Sequence, residues 1–224
     1  MISIAIDGPS GAGKSTISKT VAKKNGYIYI DTGAMYRTLA YKAITLNIDI
    51  ANDYDSIEKM LETTTIDIKH YEDGQHMFAD GNDVTAYIRT PEVSMGASNI
   101  AKIPYVRKWL LNLQRDFAKN NNCIMDGRDI GTVVLPDATV KIFLTASAEA
   151  RAKRRHIELL EKGENVTFEQ VLADMIKRDE NDSSRECAPL AKADDAVEVD
   201  TSELTFDESV LAIENVINKL VKNK

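Results

Sequence analysis

A glycine-rich turn near the start of the chain constrains the fold more than any other feature. Residues 8–16 read Gly-Pro-Ser-Gly-Ala-Gly-Lys-Ser-Thr and follow directly on an apolar, strand-like run at 2–6. A G-x-x-x-x-G-K-[ST] sequence between a strand and a helix is typical of a loop whose backbone N–H groups surround a phosphate. The pattern therefore predicts an α/β protein that binds nucleotide phosphates at this turn.

Every position of this turn is a candidate phosphate-binding residue. Lys14 is expected to reach the β- and γ-phosphates and to act catalytically, and the Ser15 hydroxyl is expected to ligate Mg²⁺. An incidental glycine-rich turn is the alternative, but four fixed positions with the correct flanks disfavour it. The candidates are Gly8, Pro9, Ser10, Gly11, Ala12, Gly13, Lys14, Ser15 and Thr16.

Composition and charge exclude several classes of protein. The 224 residues are 43% hydrophobic and 28% charged, which is ordinary for a globular chain that needs no disulfides. The formal net charge of −7 argues against a general nucleic-acid binder, although a local basic site for a phosphorylated ligand remains compatible with it. No signal peptide or membrane span is evident, so the cytoplasm is the expected compartment.

Five strand-like runs alternate with helical patterns, which predicts a parallel five-stranded sheet with helices on both faces. The runs are 2–6, 27–30, 122–125, 140–144 and 196–199. Four of them are followed at once by an aspartate, namely Asp7, Asp31, Asp126 and Asp200. Ligands of such sheets bind beyond the carboxyl ends of the strands, so several of these carboxylates are expected near the phosphate loop. A solvated turn explains Asp200 equally well.

The stretch from 66 to 84 has a different pattern. Short alternating runs are separated by Glu-Asp-Gly at 72–74 and by Asp-Gly at 80–81. An Asp-Gly pair between such runs indicates a hairpin. The stretch is therefore predicted to form a small antiparallel meander, inserted between the second and third strands of the main sheet. Such an insertion can move as a unit over a ligand.

The segment at 126–129, Asp-Gly-Arg-Asp, follows a buried strand. An aspartate in this place is the usual carboxylate partner of Mg²⁺ in phosphate-loop proteins, so Asp126 is expected to hold the metal directly or through water. Arg128 is expected to bind a phosphate with both arms of its guanidinium. A plain turn after a strand is the alternative.

A second basic cluster lies at Arg151, Arg154 and Arg155, on one face of a predicted helix. Such a face is ordinarily only solvated. Its position after the fourth strand favours instead a mobile lid, whose arginines neutralise charge on the transferring group and exclude water. Arg154 and Arg155 are therefore candidate catalytic residues.

The helical stripe that begins with apolar residues at 168–175 continues into charged ones, namely Arg178, Asp179, Asp182 and Arg185. This pattern predicts a helix end that leaves the core and lines a polar cleft. A buried salt-bridge network is the alternative. Arg37 and Arg107 lie on other predicted helices. Six or more arginines converging in an acidic protein favour two phosphorylated substrates over a simple ATPase.

Four blocks of sequence together resemble the bacterial cytidylate kinase family. They are residues 6–16, 31–37, 126–132 and 178–185. The phosphate loop alone is shared with many activities, but the blocks Asp-Thr-Gly-Ala-Met-Tyr-Arg and Asp-Gly-Arg-Asp-Ile-Gly-Thr are far more specific. Their order and spacing hold over nearly the whole chain.

The resemblance implies that the chain transfers the γ-phosphoryl group of ATP to CMP or dCMP, with ATP and Mg²⁺ as cofactors. It implies that Arg37 and Arg128 hold the acceptor phosphate and that Arg185 lies close to the transferred group. The implied base readers are Ser98, Arg107 and Asp129, and the implied sugar contacts are Arg178 and Asp182. The full implied substrate set is Thr32, Tyr36, Arg37, Ser98, Arg107, Arg128, Asp129, Arg178, Asp182 and Arg185, and the implied catalytic set is Lys14, Arg128, Arg154, Arg155 and Arg185.

The same resemblance implies a P-loop NTPase-type sheet, a nucleoside-monophosphate-binding part enlarged by the meander, and a short helical lid. The resemblance implies a single domain over 1–224, and we separately expect a monomer with no nucleic-acid or membrane partner. The implied divisions are a core at 1–37, 101–148 and 167–224, an insertion at 38–100 and a lid at 149–166.

Other functions stay open at this point. A kinase for shikimate, gluconate or a different nucleotide would carry the same loop. A GTPase-like switch is disfavoured because the chain lacks an Asn-Lys-x-Asp motif, and a nucleic-acid-handling ATPase is disfavoured by the acidic charge balance.

Overall fold

The computed structural model describes residues 1–72 and 74–222 and divides into a larger unit (1–29 with 118–224) and a smaller unit (30–117). In chain order the elements are β1 (Ser3–Asp7), α1 (Lys14–Asn25), β2 (Ile28–Asp31), α2 (Thr32–Thr45), α3 (Tyr54–Glu62), β3 (Ile66–Tyr71), β4 (Gly74–Ala79), β5 (Asn82–Asp83), α4 (Pro91–Ile100), α5 (Pro104–Asn120), β6 (Cys123–Gly127), a π-helical turn (Ile130–Val134), β7 (Val140–Thr145), α6 (Ala148–Glu161), α7 (Phe168–Ser183), β8 (Val197–Asp200) and α8 (Phe206–Val221).

The main sheet has five strands in the order β2-β6-β1-β7-β8, with β1 at its centre. β1 pairs in parallel with β6, where Ile4 faces Ile124, and with β7, where Ile4 faces Val140. Ile4, Ala5 and Ile6 have no exposed surface. A parallel strand covered on both faces requires such an unbroken apolar run. The predicted α/β fold with a parallel five-stranded sheet is confirmed.

Helices α1 and α8 pack against this sheet. Val21 of α1 and Ile213 of α8 lie in one buried cluster with Ile142 of β7. α8 begins at a reciprocal cap, in which the Thr205 hydroxyl accepts from the Glu208 backbone N–H and the Glu208 carboxylate accepts from that of Thr205. This cap satisfies two backbone donors that the first turn of a helix leaves unpaired. Apolar spacing and capping together fix where the helix begins and which face it buries.

Aspartates occupy the carboxyl ends of the strands rather than the loops after them. Asp7, Asp31 and Asp200 are the last residues of β1, β2 and β8, and Asp126 is the penultimate residue of β6. Each strand therefore extends beyond its apolar run. These side chains are held by backbone that is fixed in the sheet, which places them more rigidly than a loop would.

The smaller unit contains the predicted antiparallel meander, in the order β3-β4-β5. Ile66 faces Ala79 across the first pair of strands. The second turn has positive φ at Asp80 (50°) and Gly81 (80°), as a tight Asp-Gly hairpin turn requires. The first predicted turn includes Asp73, which lies outside the described residues.

The helices of the smaller unit are closely packed. A Cβ atom added at Gly96 of α4 would lie 3.2 Å from the Cβ of Ala40 on α2 and 3.1 Å from Cδ1 of Ile50. A larger side chain at this position would therefore push α2 and α4 apart. The predicted division of the chain into core, insertion and lid stays a prediction. Within residues 1–72 and 74–222, no helix has the length and apolarity needed to cross a bilayer.

Candidate active site

The phosphate loop connects β1 to α1 through backbone that only glycine adopts easily. Gly8, Gly11 and Gly13 have φ values of 149°, 75° and 85°. A Cβ atom at Gly8 would lie only 1.9 Å from the Leu144 carbonyl oxygen, so the strand β7 leaves no room for one. Gly13 caps α1 without a side-chain hydrogen bond. The first N–H groups of the helix are thus left for an anion.

Lys14 is held by its own loop. Its Nζ donates to the carbonyl oxygens of Gly8 and Pro9, each at 2.7 Å, and the residue is only 6% exposed. Burial, and after it the nearby charge of Arg128, lower the pKa of the Lys14 ammonium well below its ordinary value. The cation is therefore already positioned at the mouth of the loop, where an anionic phosphate would restore favourable electrostatics.

Ser15 and Asp126 meet beside this loop, as the metal prediction requires. The Ser15 hydroxyl donates to one carboxylate oxygen of Asp126 at 2.8 Å, and the Tyr29 hydroxyl donates to the other at 2.9 Å. Asp126 is 4% exposed. A hydroxyl and a carboxylate next to a phosphate site make the oxygen donor set that Mg²⁺ prefers. Tyr29 was not predicted, and no sequence pattern distinguishes it from an ordinary strand tyrosine.

Asp182 lies between two arginines in the larger unit. Nε of Arg128 donates to one of its oxygens at 2.7 Å, and an Nη of Arg185 donates to the other. Asp182 is 2% exposed. Burial opposes its ionisation, but the charges of Arg128 and Arg185 outweigh burial and lower its pKa. The alternative of a buried network is therefore observed, and this network holds two guanidinium groups, while the polar cleft stays a prediction.

The three predicted lid arginines have three different environments. Arg151 is buried at 4% exposure and donates to both oxygens of Asp179. Arg154 donates to the backbone carbonyl of Thr201. Arg155 is half-exposed and pairs with Glu158 one turn along the same helix, at 2.8 Å. A shared helical face does not give these residues a shared role, because neighbouring elements cover part of that face.

Asp31 organises the candidate acceptor residues of the smaller unit. One of its oxygens accepts from the backbone N–H of Ala34, which caps α2, and the other accepts from Arg37 at 2.8 Å. Arg89, which sequence analysis did not single out, also donates to Asp31, at 3.4 Å. The side chain of Arg89 is largely exposed. One carboxylate therefore fixes the start of a helix and two guanidinium groups.

Arg107 is anchored within the same unit. Its guanidinium donates to the Ala101 carbonyl and lies 5.7 Å from the centre of the Tyr36 ring. Arg107 is 8% exposed and Thr32 is 3% exposed, whereas Ser98 on α4 is half-buried. The smaller unit thus holds the predicted residues Thr32, Tyr36, Arg37, Ser98 and Arg107. The larger unit holds the remaining site residues.

The strand-end aspartates differ in burial and in hydrogen-bond partners. Asp126 contacts Ser15, as described above. Asp7 is 3% exposed and accepts from the backbone N–H groups of Ile130 and Gly131, each at 2.7 Å. Burial raises the pKa of Asp7 to about 6. Asp200 is exposed and accepts from Ser202, which agrees with the alternative of a solvated turn.

Comparison with known proteins places this geometry in one family. The sequence model described as "Cytidylate kinase" matches residues 4–222. A protein named cytidylate kinase from Caldicellulosiruptor saccharolyticus is 52% identical over 223 residues, which cover 100% of this chain and 98% of that protein. One of the same name from Bacillus cereus is 49% identical over 217 residues, covering 97% and 96%. An uncharacterized protein from Eubacterium ventriosum has the same fold, with a TM-score of 0.53 at 14% identity, covering 97% of this chain and 99% of that one.

Proposed function

The chain belongs to the cytidylate kinase family, and from this premise we propose that it transfers the γ-phosphoryl group of ATP to CMP or dCMP. The products are ADP and the corresponding nucleoside diphosphate. The observation that carries the proposal is a phosphate loop with its lysine in place, in one unit with a buried aspartate that orients two arginines. We further propose that the enzyme acts in the cytoplasm as a monomer.

The donor side consists of the phosphate loop and Lys14. Backbone N–H groups at the start of α1 bind the phosphate oxygens of ATP, because the glycine conformations leave them unobstructed. Lys14 reaches the β- and γ-phosphates from its place on the carbonyls of Gly8 and Pro9. The loop positions the donor, and the ammonium neutralises charge as the phosphoryl group leaves.

Ser15 and Asp126 are the residues that would hold Mg²⁺. Their oxygens lie 2.8 Å apart and both are hard donors that suit this ion. Held there, Mg²⁺ would supply positive charge to offset the negative charge of the ATP phosphates. The Tyr29 hydroxyl donates to the second carboxylate oxygen of Asp126, which restricts the rotation of this carboxylate.

The acceptor side consists of arginines held by carboxylates. Arg37 and Arg128 bind the acceptor phosphate, and Arg185 lies close to the transferred group. The second pKa of a phosphate monoester is about 6, so the acceptor is largely a dianion at neutral pH and needs no general base. Catalysis then rests on in-line positioning and charge neutralisation. Arg154 and Arg155 contribute from the lid.

Specificity toward cytosine rests on the family blocks. Ser98, Arg107 and Asp129 read the base, while Arg178 and Asp182 contact the sugar. Two of the base readers are buried, with Arg107 at 8% and Asp129 at 5% exposure. A buried polar group that a ligand satisfies discriminates strongly against ligands that leave it unpaired.

The proposal is tested by a coupled assay for ADP formation from ATP with CMP, dCMP, UMP, AMP and shikimate as acceptors. The expected result is turnover with CMP and dCMP that exceeds turnover with AMP and shikimate by a factor of at least about 100. Turnover with shikimate but not with any pyrimidine monophosphate would overturn the proposal.

A further inference from the structure

The Arg151 guanidinium donates hydrogen bonds to three separate parts of the larger unit. Its Nε donates to the carbonyl of Ala146 at 2.9 Å, and one Nη donates to the carbonyl of Ser10 in the phosphate loop at 3.0 Å. The two Nη groups also donate to the two oxygens of Asp179, at 3.1 and 2.6 Å. One guanidinium therefore joins the start of α6, the phosphate loop and α7.

The side chains around this contact leave little freedom. Arg151 is 5% exposed at its side chain and Asp179 is 22% exposed, so water reaches the pair only from the aspartate side. A Cβ atom added at Gly11 would lie 2.9 Å from Cε of Met175, which is on α7, and 3.4 Å from Cβ of Arg151. Helix α7 and the Arg151 side chain thus pack directly against the phosphate loop at Gly11.

We propose that Asp179 is a positioning residue for the donor nucleotide. It acts through Arg151, whose fork it fixes so that one Nη stays on the Ser10 carbonyl. Two parallel hydrogen bonds between a guanidinium and a carboxylate fix both distance and plane, which a single contact does not. The inference rests on the proposed function in one respect, namely that the loop binds ATP.

The Arg151–Asp179 pair differs from an ordinary exposed ion pair at a protein surface, because the Arg151 side chain is buried. An exposed ion pair contributes little, whereas breaking a buried pair leaves an uncompensated charge. Without the Asp179 carboxylate, Arg151 loses the partner that balances its burial and moves toward water. The Ser10 carbonyl then loses its donor, and the turn between Pro9 and Gly11 is free to change shape.

The ion pairs of Asp182, on the acceptor side, can be compared with the ion pair of Asp179. Asp182 lies three residues after Asp179 on α7, and it holds Arg128 and Arg185. Residues three apart lie on the same face of a helix, so one turn of α7 carries both ion pairs. A change at Asp179 leaves the Asp182 pairs intact. The effect on ATP should therefore exceed the effect on CMP.

The experiment compares Asp179→Asn with wild type by steady-state kinetics and by direct measurement of the Kd for ATP. Asparagine keeps the size of the side chain but removes its charge and one acceptor. The expected result is an increase of about tenfold in the KM and Kd for ATP, with the KM for CMP changed by less than about twofold. Asp179→Glu, which keeps the charge, should restore most of the ATP affinity.

Arg151→Lys is the second variant and it guards against a folding failure. Lysine keeps the charge but cannot make the forked contact, so it should weaken ATP binding as Asp179→Asn does. Asp174→Asn is the matched control, because Asp174 is an exposed aspartate on the same helix. This control should behave as wild type in both substrates.

The measurements distinguish a failure of the proposed role of Asp179 from a failure of the proposed kinase activity. Equal losses for ATP and CMP, or a lowered Tm with unchanged kinetic constants, would show that the pair only ties α6 to α7 and would overturn the proposal. Wild-type protein that binds ATP but does not phosphorylate CMP would refute the proposed function instead. In that case the Kd for ATP of the variants still decides the role of Asp179.

Discussion

The phosphate loop and the arginine network around Asp182 anchor their cations in opposite ways. Lys14 donates to carbonyl oxygens only five and six residues before it in the chain. Arg128 instead donates to a carboxylate that is 54 residues away in sequence. The lysine depends on local backbone geometry, whereas the arginine depends on how β6 and α7 pack.

The different partners of the lysine and the arginines indicate different roles. A backbone carbonyl holds Lys14 with a partial charge, so a phosphate with full negative charge can displace it readily. A carboxylate holds Arg128 and Arg185 with a full charge, and it also keeps them oriented when no substrate is bound. Substitutions in the loop should therefore affect chemistry directly, while substitutions in the network should act through orientation.

The largest effect is expected for Lys14→Ala. Loss of the buried ammonium removes the charge that stabilises the transferring phosphoryl group, and kcat should fall by about 1,000-fold. Circular dichroism should show an unchanged fold, because the buried apolar residues of β1 and α1 are all retained. Lys23→Ala, an exposed lysine on the same helix, is the control. A fully active Lys14→Ala protein would contradict the role of the loop.

The next effect is expected for Asp182→Ala, which releases Arg128 and Arg185. The kcat/KM for CMP should fall by about 100-fold, while the KM for ATP should change by less than about threefold. Steady-state kinetics with each substrate varied in turn measures both quantities. Equal losses for the two substrates would mean that the network supports the fold rather than the acceptor.

A smaller effect is expected for Asp31→Asn in the smaller unit. The asparagine oxygen still accepts from Ala34 and caps α2, but the charge that holds Arg37 is lost. The KM for CMP should rise by about fivefold, with no change for ATP. Asp53→Asn is the matched control, because Asp53 caps α3 through the backbone N–H of Ser56. A fivefold rise in both variants would point to capping rather than to Arg37.

The smallest effect on turnover is expected for Asp7→Asn, which should instead change the pH dependence of the free energy of unfolding. Its pKa rises from 3.8 to about 6 because burial disfavours the carboxylate. A group with a raised acid pKa stabilises the fold fully below pH 3.8, and this contribution is lost as the pH rises through about 6. At about 1.36 kcal/mol per pH unit, the loss is about 3 kcal/mol.

Urea unfolding of wild type and Asp7→Asn at pH values from about 4 to 7 measures this contribution. The difference in free energy of unfolding, wild type minus variant, should fall with rising pH. Asp200→Asn is the control, since this exposed carboxylate has a pKa lowered by its hydrogen bonds to Ser202, and its difference should not fall. A pH-independent difference for Asp7→Asn would show that the buried carboxylate is not destabilised.

Much of the fold follows from short-range patterns. The glycine-rich turn at 8–13 predicts the loop that joins β1 to α1, and the Asp-Gly pair at 80–81 predicts the hairpin turn that is present. The five apolar runs each contain most of one strand of the main sheet. The carboxyl ends of four strands lie one or two residues beyond the run, because these strands include the aspartate that follows it.

The site was only partly predictable. Ser15 and Asp126 meet because both lie at fixed offsets from strands that are neighbours in the sheet, and their role as metal ligands stays a prediction. Arg151 and Arg155 share a predicted helical face, yet one is buried against Asp179 and the other is half-exposed beside Glu158. Periodicity specifies which residues share a face, but not which neighbouring element covers it.

The sequence by itself determined the succession of the main-sheet strands along the chain and the position of the phosphate loop. It also determined the family that the four sequence blocks resemble. Those features depend on backbone preferences and on spacings of a few residues. Only the tertiary structure decided that Asp182 holds two arginines and that Asp179 reaches the phosphate loop through Arg151. Arg128 and Asp182 are 54 residues apart in the chain, and Arg151 and Asp179 are 28 apart. The distances within these two pairs are set by packing of whole elements rather than by local conformation.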